Sequence, residues 1–339
     1  MMGVAPQANN SREIRMTLER IGKLVVLAAW VAAGGAQAQD VVRLGNLKFA
    51  HYGAVSYIKE IAPKCGIKVE ERVFPKGLDV MSAIIAGELD VGATASEAAI
   101  AGRAGGAPIY VVAGFAKGGA RLVARPELNI KSVKDLKGKK VGVTRGGIQE
   151  VLLLAELQQA GLTVSEQPGK DVQTVLLAYA DLNQALLGKH IDAMMQSEPQ
   201  SSQAINKGYG AEVLKPYDTP LGAPVRTMVM TEKFYRERRP LAEKFMRCFV
   251  QATRTFLDQP ATAEKYVRET VFKGQISSDD FQDAIGNSPY SYDVTPEHIQ
   301  VTTDTMVKTG VGRMARPPLA RDWVKTDLLE QAKKSLGVQ

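Results

Sequence analysis

Thr144-Arg145-Gly146-Gly147 stands between a short apolar run and an amphipathic helical pattern, a setting that suits an oxyanion. A guanidinium offers a planar fork of donors, and the start of a helix presents unpaired N–H groups at the positive end of its dipole. Comparable positions follow the other strand-like runs: Asn46, Lys48, Phe49 and His51 after the first, Lys76 and Gly77 after the second, Thr94 and Ser96 after the third, Lys117 and Gly118 after the fourth. Tyr179, Ser197 and Glu198, with Arg226 further on, complete the candidates. Donors predominate among them, so the chemistry is non-covalent capture of a small anion. No GxSxG, P-loop or strand-to-helix GxGxxG is present, and no catalytic residues are paired at a meaningful spacing.

Most of these side chains have a second role open to them. Thr94, Ser96 and Ser197 suit helix capping as well as ligand contact. Lys76 and Lys117 suit solvated positions, while Phe49, Phe74 and Tyr179 suit core packing or stacking on an aromatic ligand. His51 suits a cap or loop. Arg226 can clamp a ligand or pair with an acid across the molecule. Glu198 opposes a purely anion-attracting site and can instead form a salt bridge or meet an amino group.

The three histidines, His51, His190 and His298, are isolated from one another, so neither a metal nor a cofactor is expected. Cys65 and Cys248 are the two cysteines; a bridge and a pair of buried thiols both remain open. The formal net charge of +7 is a mild excess that favours anionic partners, but no basic run is interleaved with aromatics as single-stranded nucleic acid requires.

At the N-terminus, Arg12, Arg15, Arg20 and Lys23 precede the apolar run Leu24 to Ala33, and Ala36-Gln37-Ala38 follows. The run is too short for a bilayer core, which takes about 20 helical residues, and reads as a signal peptide cleaved after Ala38, with Met1 or Met16 as the start. The remaining chain, about 300 residues, is long enough for two domains.

To position the candidates, short β-rich runs alternate with helical patterns: strands near 67–74, 89–94 and 109–115, and helices near 53–64, 77–86 and 96–104. A second such series starts at Ser132-Val133-Lys134-Asp135, a capping-box form, and includes a strand at 141–143, a helix at 149–159, a helix 182–187 capped by Asp181, and a strand at 191–195. Alternation of this kind predicts an α/β fold with mostly parallel sheets. Ala83 to Asp90 and Ala185 to Asp192 echo each other, each with a glycine ending a helix before an aspartate that opens a strand. After strand 226–231 the pattern turns helical, with Leu241, Phe245, Phe249, Ala252 and Phe256 on one face and Thr295-Pro296 opening a further helix. The expected division is 1–38 leader, 39–126 first lobe, 127–221 second lobe and 222–339 the first lobe again, with the outward crossing near Arg125-Pro126 in a two-strand hinge.

Val73 to Gly77, the stretch SVKDLKGKKVGV from Ser132, LLGKHIDA from Leu186 and Ser197-Glu198-Pro199 resemble the periplasmic binding proteins of the sulfonate, taurine and nitrate importers. The resemblance covers nearly the whole mature chain. It implies a type II periplasmic binding fold with two lobes closing on a small anion, which is delivered to an inner-membrane ABC permease by an exported monomer. It also brings in a fungal-type relative that makes the thiamine pyrimidine, whose cysteine-rich motif has no counterpart here, so a pyrimidine-precursor binder or such an enzyme is the alternative.

Overall fold

The computed structural model describes residues 1–3 and 40–338. The chain divides into Met1–Asp40 and Val41–Gln339, and the fold is that of the second unit; the leader after Gly3 and its cleavage point lie outside the described residues. From the start of that unit the chain forms β1 (Val41–Leu47), a short 3-10 helix (Ala50–Tyr52), α1 (Gly53–Ile61), β2 (Lys68–Phe74), α2 (Gly77–Ile85), β3 (Val91–Ala95), α3 (Ser96–Ala104) and β4 (Ile109–Lys117). There follow β5 (Ala120–Ala124), β6 (Lys139–Val143), α4 (Ile148–Gln159), β7 (Val164–Ser165), β8 (Val172–Leu176), α5 (Tyr179–Leu187), β9 (Ala193–Ser197), α6 (Gln200–Asn206) and β10 (Ala211–Leu214). After β11 (Val225–Thr231) come α7 (Glu232–Glu237), α8 (Arg239–Asp258), α9 (Pro260–Lys265), α10 (Ser278–Asn287), α11 (Pro296–Thr309), α12 (Ala320–Trp323) and α13 (Asp327–Leu336).

The strands build two sheets, one ordered β2-β1-β3-β11-β4 and the other β10-β5-β9-β6-β8-β7. The first is evenly mixed, with two parallel and two antiparallel pairings, and the second is mostly parallel, with three of five. Strands joined by crossover helices pair in parallel, as β1 does with β2 and β3, and β6 with β8 and β9. Those next to the passage between sheets do not: β11 runs antiparallel to β3 and β4, and β5 antiparallel to β9 and β10. β5 and β11 are the strands by which the chain arrives from the other sheet, so no strand–helix–strand crossover sets their direction. The chain changes sheet at Gly118 and Gly119, earlier than the expected Arg125-Pro126, because β5 already belongs to the second sheet. Both glycines have positive φ, 76° and 81°, a region that side chains with a Cβ avoid. The return runs between Leu214 and Val225.

The echo between the halves has a physical basis. Asp90 takes the backbone N–H of Arg43 on Oδ2 at 3.0 Å, and Asp192 takes that of Lys140 at 2.9 Å. Each aspartate is also held by an arginine, Arg43 and Arg125 respectively. Thus each stitches the entry of a central strand to its parallel neighbour. The helix stops differ, since Gly87 adopts the left-handed conformation in the first half whereas Lys189, not Gly188, does so in the second. The other departure is α5, which starts at Tyr179 after the N-cap Ala178, leaving Asp181 in its first turn rather than capping.

α8 buries Leu241, Phe245, Phe249, Ala252 and Phe256, an apolar stripe set by spacings of three and four, and Pro260 just beyond helps end it. Each large side chain contributes roughly 1.5–3 kcal/mol by leaving water. The helix also carries Cys248, disulfide-bonded to Cys65, 183 positions away in sequence, with Cα atoms 5.9 Å apart. Closing so long a loop restricts the unfolded chain, so reduction is expected to remove about 2–4 kcal/mol of stability. Calorimetric melting with and without dithiothreitol checks this: the reduced protein should melt several degrees lower, and equal melting temperatures would refute it.

Candidate functional site

The site is built where the ends of β1, β3 and β11 face the N-termini of α4 and α5. Phe49 stacks near His51 with centroids 5.8 Å apart, lies 5.7 Å from Tyr52, and meets the edge of Tyr179 from the second half at 5.4 Å. Tyr52 in turn meets Phe115 at 4.7 Å. Arg226, 2% exposed, enters this aromatic enclosure from β11 and donates through Nε to the carbonyl of Gly118 at 3.0 Å. Among the described residues no carboxylate lies within ion-pair reach of it. A Cβ on Gly119 would fall 2.9 Å from the His51 ring and 3.1 Å from Arg226 Nη2, so glycine at the passage lets these two converge.

Several buried polar atoms here have no partner: both ring nitrogens of His51, Thr94 Oγ1, Glu97 Oε2 and Thr144 Oγ1. Buried polar groups are normally hydrogen-bonded, and a cluster of exceptions marks a place where something else supplies the bonds. The four helices opening toward this region, α2, α3, α4 and α5, lack side-chain caps, as do α1, α6, α8, α9, α12 and α13, while Thr231, Ser277 and Thr295 cap α7, α10 and α11. Uncapped N-termini leave N–H donors available. Next to the enclosure, a recess of about 350 Å³ lies between Pro75, Lys76 and Asp79 on one side and Thr144, Arg145 and Tyr179 on the other.

Burial sets the ionisation. The His51 ring is held well below its usual range, first by burial and then by Arg226, so it is neutral. Burial pushes the phenols of Tyr52 and Tyr179 up. It also raises Glu97 to about 7, with Arg226 and the backbone N–H groups of Glu97, Ile148 and Ala98 pulling the other way. The folded protein therefore holds this proton more tightly than the unfolded chain, so the stability it adds is complete below about pH 4.5 and is lost as pH rises toward 7. The ligand-free protein is expected to lose no more than about 3 kcal/mol from this group between pH 5 and 8. Glu97→Gln should flatten that part of a melting-temperature profile; parallel profiles would contradict the assignment.

The candidates from sequence divide. His51, Phe49, Thr94, Thr144, Tyr179 and Arg226 come together at the enclosure, with Gly77, Gly118 and Gly147 beside them. Gly147 has no room for a Cβ because the Tyr179 hydroxyl occupies that space. Tyr179 donates to Gln149 at 2.6 Å. The expected oxyanion fork is not assembled: Arg145 points outward to Glu166 at 2.7 Å, and the Gly146 N–H is taken by Glu150 at 2.6 Å. Asn46 faces α1 and β2, donating to Ser56 at 3.0 Å and Glu71 at 2.7 Å. Lys48 reaches Gln275 and the Phe272 ring, Lys117 pairs with Asp293, and Lys76 stays exposed near Asp79. Ser96 is the first residue of α3 rather than its cap, with its hydroxyl 3.4 Å from Thr302, and Ser197 donates to the Gly119 carbonyl at 3.3 Å. Glu198 is sequestered: Arg121 lies at 2.7 Å, Ser202 and Asn287 donate to it, and none of its surface is exposed. Sequence reasoning missed Glu97 and Tyr52. An acid in the first turn of a helix reads as a partner for the dipole, and only its burial distinguishes it.

Two α/β halves joined by a pair of chain passages, with polar groups gathered where they meet, define the two-lobed periplasmic binding fold. The alkanesulfonate-binding protein SsuA from Xanthomonas axonopodis pv. citri, solved bound to MOPS, shares it with a TM-score of 0.70 at 17% identity over 86% of this chain and 100% of that one. The chain belongs to the NMT1/THI5-like family, whose model matches residues 64–263. It is 35% identical over 173 residues to the "Putative aliphatic sulfonates-binding protein" of Escherichia coli (strain K12), a match covering 50% of each, so the chain spans half the length of that relative. A "Putative ABC transporter periplasmic binding protein" of Brachyspira hyodysenteriae is 23% identical over 71% of this chain and 72% of its own.

Proposed function

We propose that this protein is the solute-binding component of an ABC importer, capturing a small anion of the sulfonate, taurine, nitrate or carboxylate class between its lobes and handing it to an inner-membrane permease. The observation that carries this reading is the group of buried, unpartnered polar atoms on His51, Thr94, Glu97 and Thr144 around the buried Arg226. A ligand held by Arg226 would satisfy them. The lobes are Val41 to Lys117 with Val225 to the C-terminus, and Ala120 to Leu214, hinged at Gly118-Gly119 and at the return to β11. The protein acts as a periplasmic monomer. Phe49, Tyr52 and Tyr179 favour a second reading, a ring-bearing ligand such as a pyrimidine precursor, because aromatic walls suit a planar guest.

Thermal-shift measurements against sulfonates, taurine, nitrate, carboxylates and pyrimidines test the proposal. A ligand of the class should raise the melting temperature with the logarithm of its concentration. No shift across the panel, together with turnover of a panel member, would favour an enzyme instead.

A further inference from the structure

We infer that the ligand carries an N–H donor as well as an anionic group, with Glu97 receiving the donor while Arg226 takes the anion. This rests on the ligand-capture reading above. Of the acids near the junction, Glu198 is consumed by Arg121, Ser202 and Asn287, and Glu150 by the Gly146 N–H. Glu97, 4% exposed, is reached by the backbone N–H groups of Glu97, Ala98 and Ile148, yet keeps Oε2 without a hydrogen-bond partner in a place closed to water. It sits in the first turn of α3 and faces the N–H of Ile148, the first residue of α4 in the other lobe. A protein carboxylate thus stands where two helix N-termini and a buried guanidinium would otherwise draw a ligand's negative charge.

Above about pH 7, where Glu97 is ionised, a donor-free anion entering this enclosure meets a like charge that Arg226 cannot neutralise together with its own. A ligand with an N–H group turns the same carboxylate into an acceptor, satisfies Oε2 and leaves Arg226 for the anion. Phe49, Tyr52 and Tyr179 limit water's access, so a donor or acceptor left unpaired there is costly, and a site that hydrogen-bonds a ligand group rejects the analogue lacking it.

Calorimetric titration of the protein with matched pairs tests this: taurine against ethanesulfonate, β-alanine against propionate, and 4-aminobenzoate against benzoate, with nitrate as a donor-free anion. At pH 8 the aminated member of at least one pair should bind tenfold or more tightly than its partner. Glu97→Ala should bring that pair to within about threefold, with the donor-free member binding as well as before or better. The wild-type comparison stands alone should the variant fail to fold by circular dichroism. Binding confined to donor-free anions, or equal affinity within every pair that binds, overturns the inference and leaves anion capture standing. Binding by no compound overturns both.

Discussion

Arg226→Met is expected to weaken ligand binding by at least about thirtyfold while leaving the ligand-free protein melting within a few degrees of wild type. A buried charge-assisted hydrogen bond to an anion, once its donor is removed, costs roughly 2–5 kcal/mol, much of it from leaving the anion unpaired in an enclosure with little water. Stability responds differently because two effects oppose each other. Methionine removes a buried charge that has no acid within reach, which is favourable, and leaves the Gly118 carbonyl without its donor, which is not. Titration calorimetry and differential scanning calorimetry separate the two. A variant that binds normally would remove Arg226 from the site, and one that melts far below wild type would make it a structural residue.

Arg121→Ala is expected to destabilise the fold by about 3–5 kcal/mol, the range for breaking a buried ion pair from one side. Arg121 lies on β5 and is 3% exposed; it reaches Glu198 at 2.7 Å, Glu212 on β10 at 2.8 Å and Asp283 on α10 at 2.8 Å. Its removal leaves Glu198, from which water is excluded, with Ser202 and Asn287 alone. It also cuts a bond from the second sheet to α10, leaving in place others to that helix, such as the one from α6, Asn206 to Asp280 at 2.9 Å. Urea unfolding measures the loss; a change under about 1 kcal/mol would show that solvent relieves Glu198.

Local signals carried much of this architecture. The Ser132 capping box, the Thr295 cap and the stripe on α8 each depend on residues a few positions apart, and each forms as its spacing dictates. Asp90 and Asp192 were legible as strand openers for the same reason. The second-sheet membership of β5 was not, since a five-residue run directly after two glycines has no periodicity to distinguish a new strand from a loop. Glu198 and Arg145 stood at suitable strand ends, yet their partners, Arg121 and Glu166, come from other elements, and nothing local announces them. The Cys65–Cys248 bridge likewise depends on a separation in space that spacing along the chain does not encode.

A crystal structure of the protein with whichever anion most raises its melting temperature tests the central claim most directly. Density for the ligand should lie between the two sheets, within hydrogen-bond distance of Arg226 and of N–H groups at the start of α3 or α4, with Phe49 and Tyr179 against it. Density confined to the crevice behind the halves, beside Pro220 and Val301, or to the outer surface would contradict it.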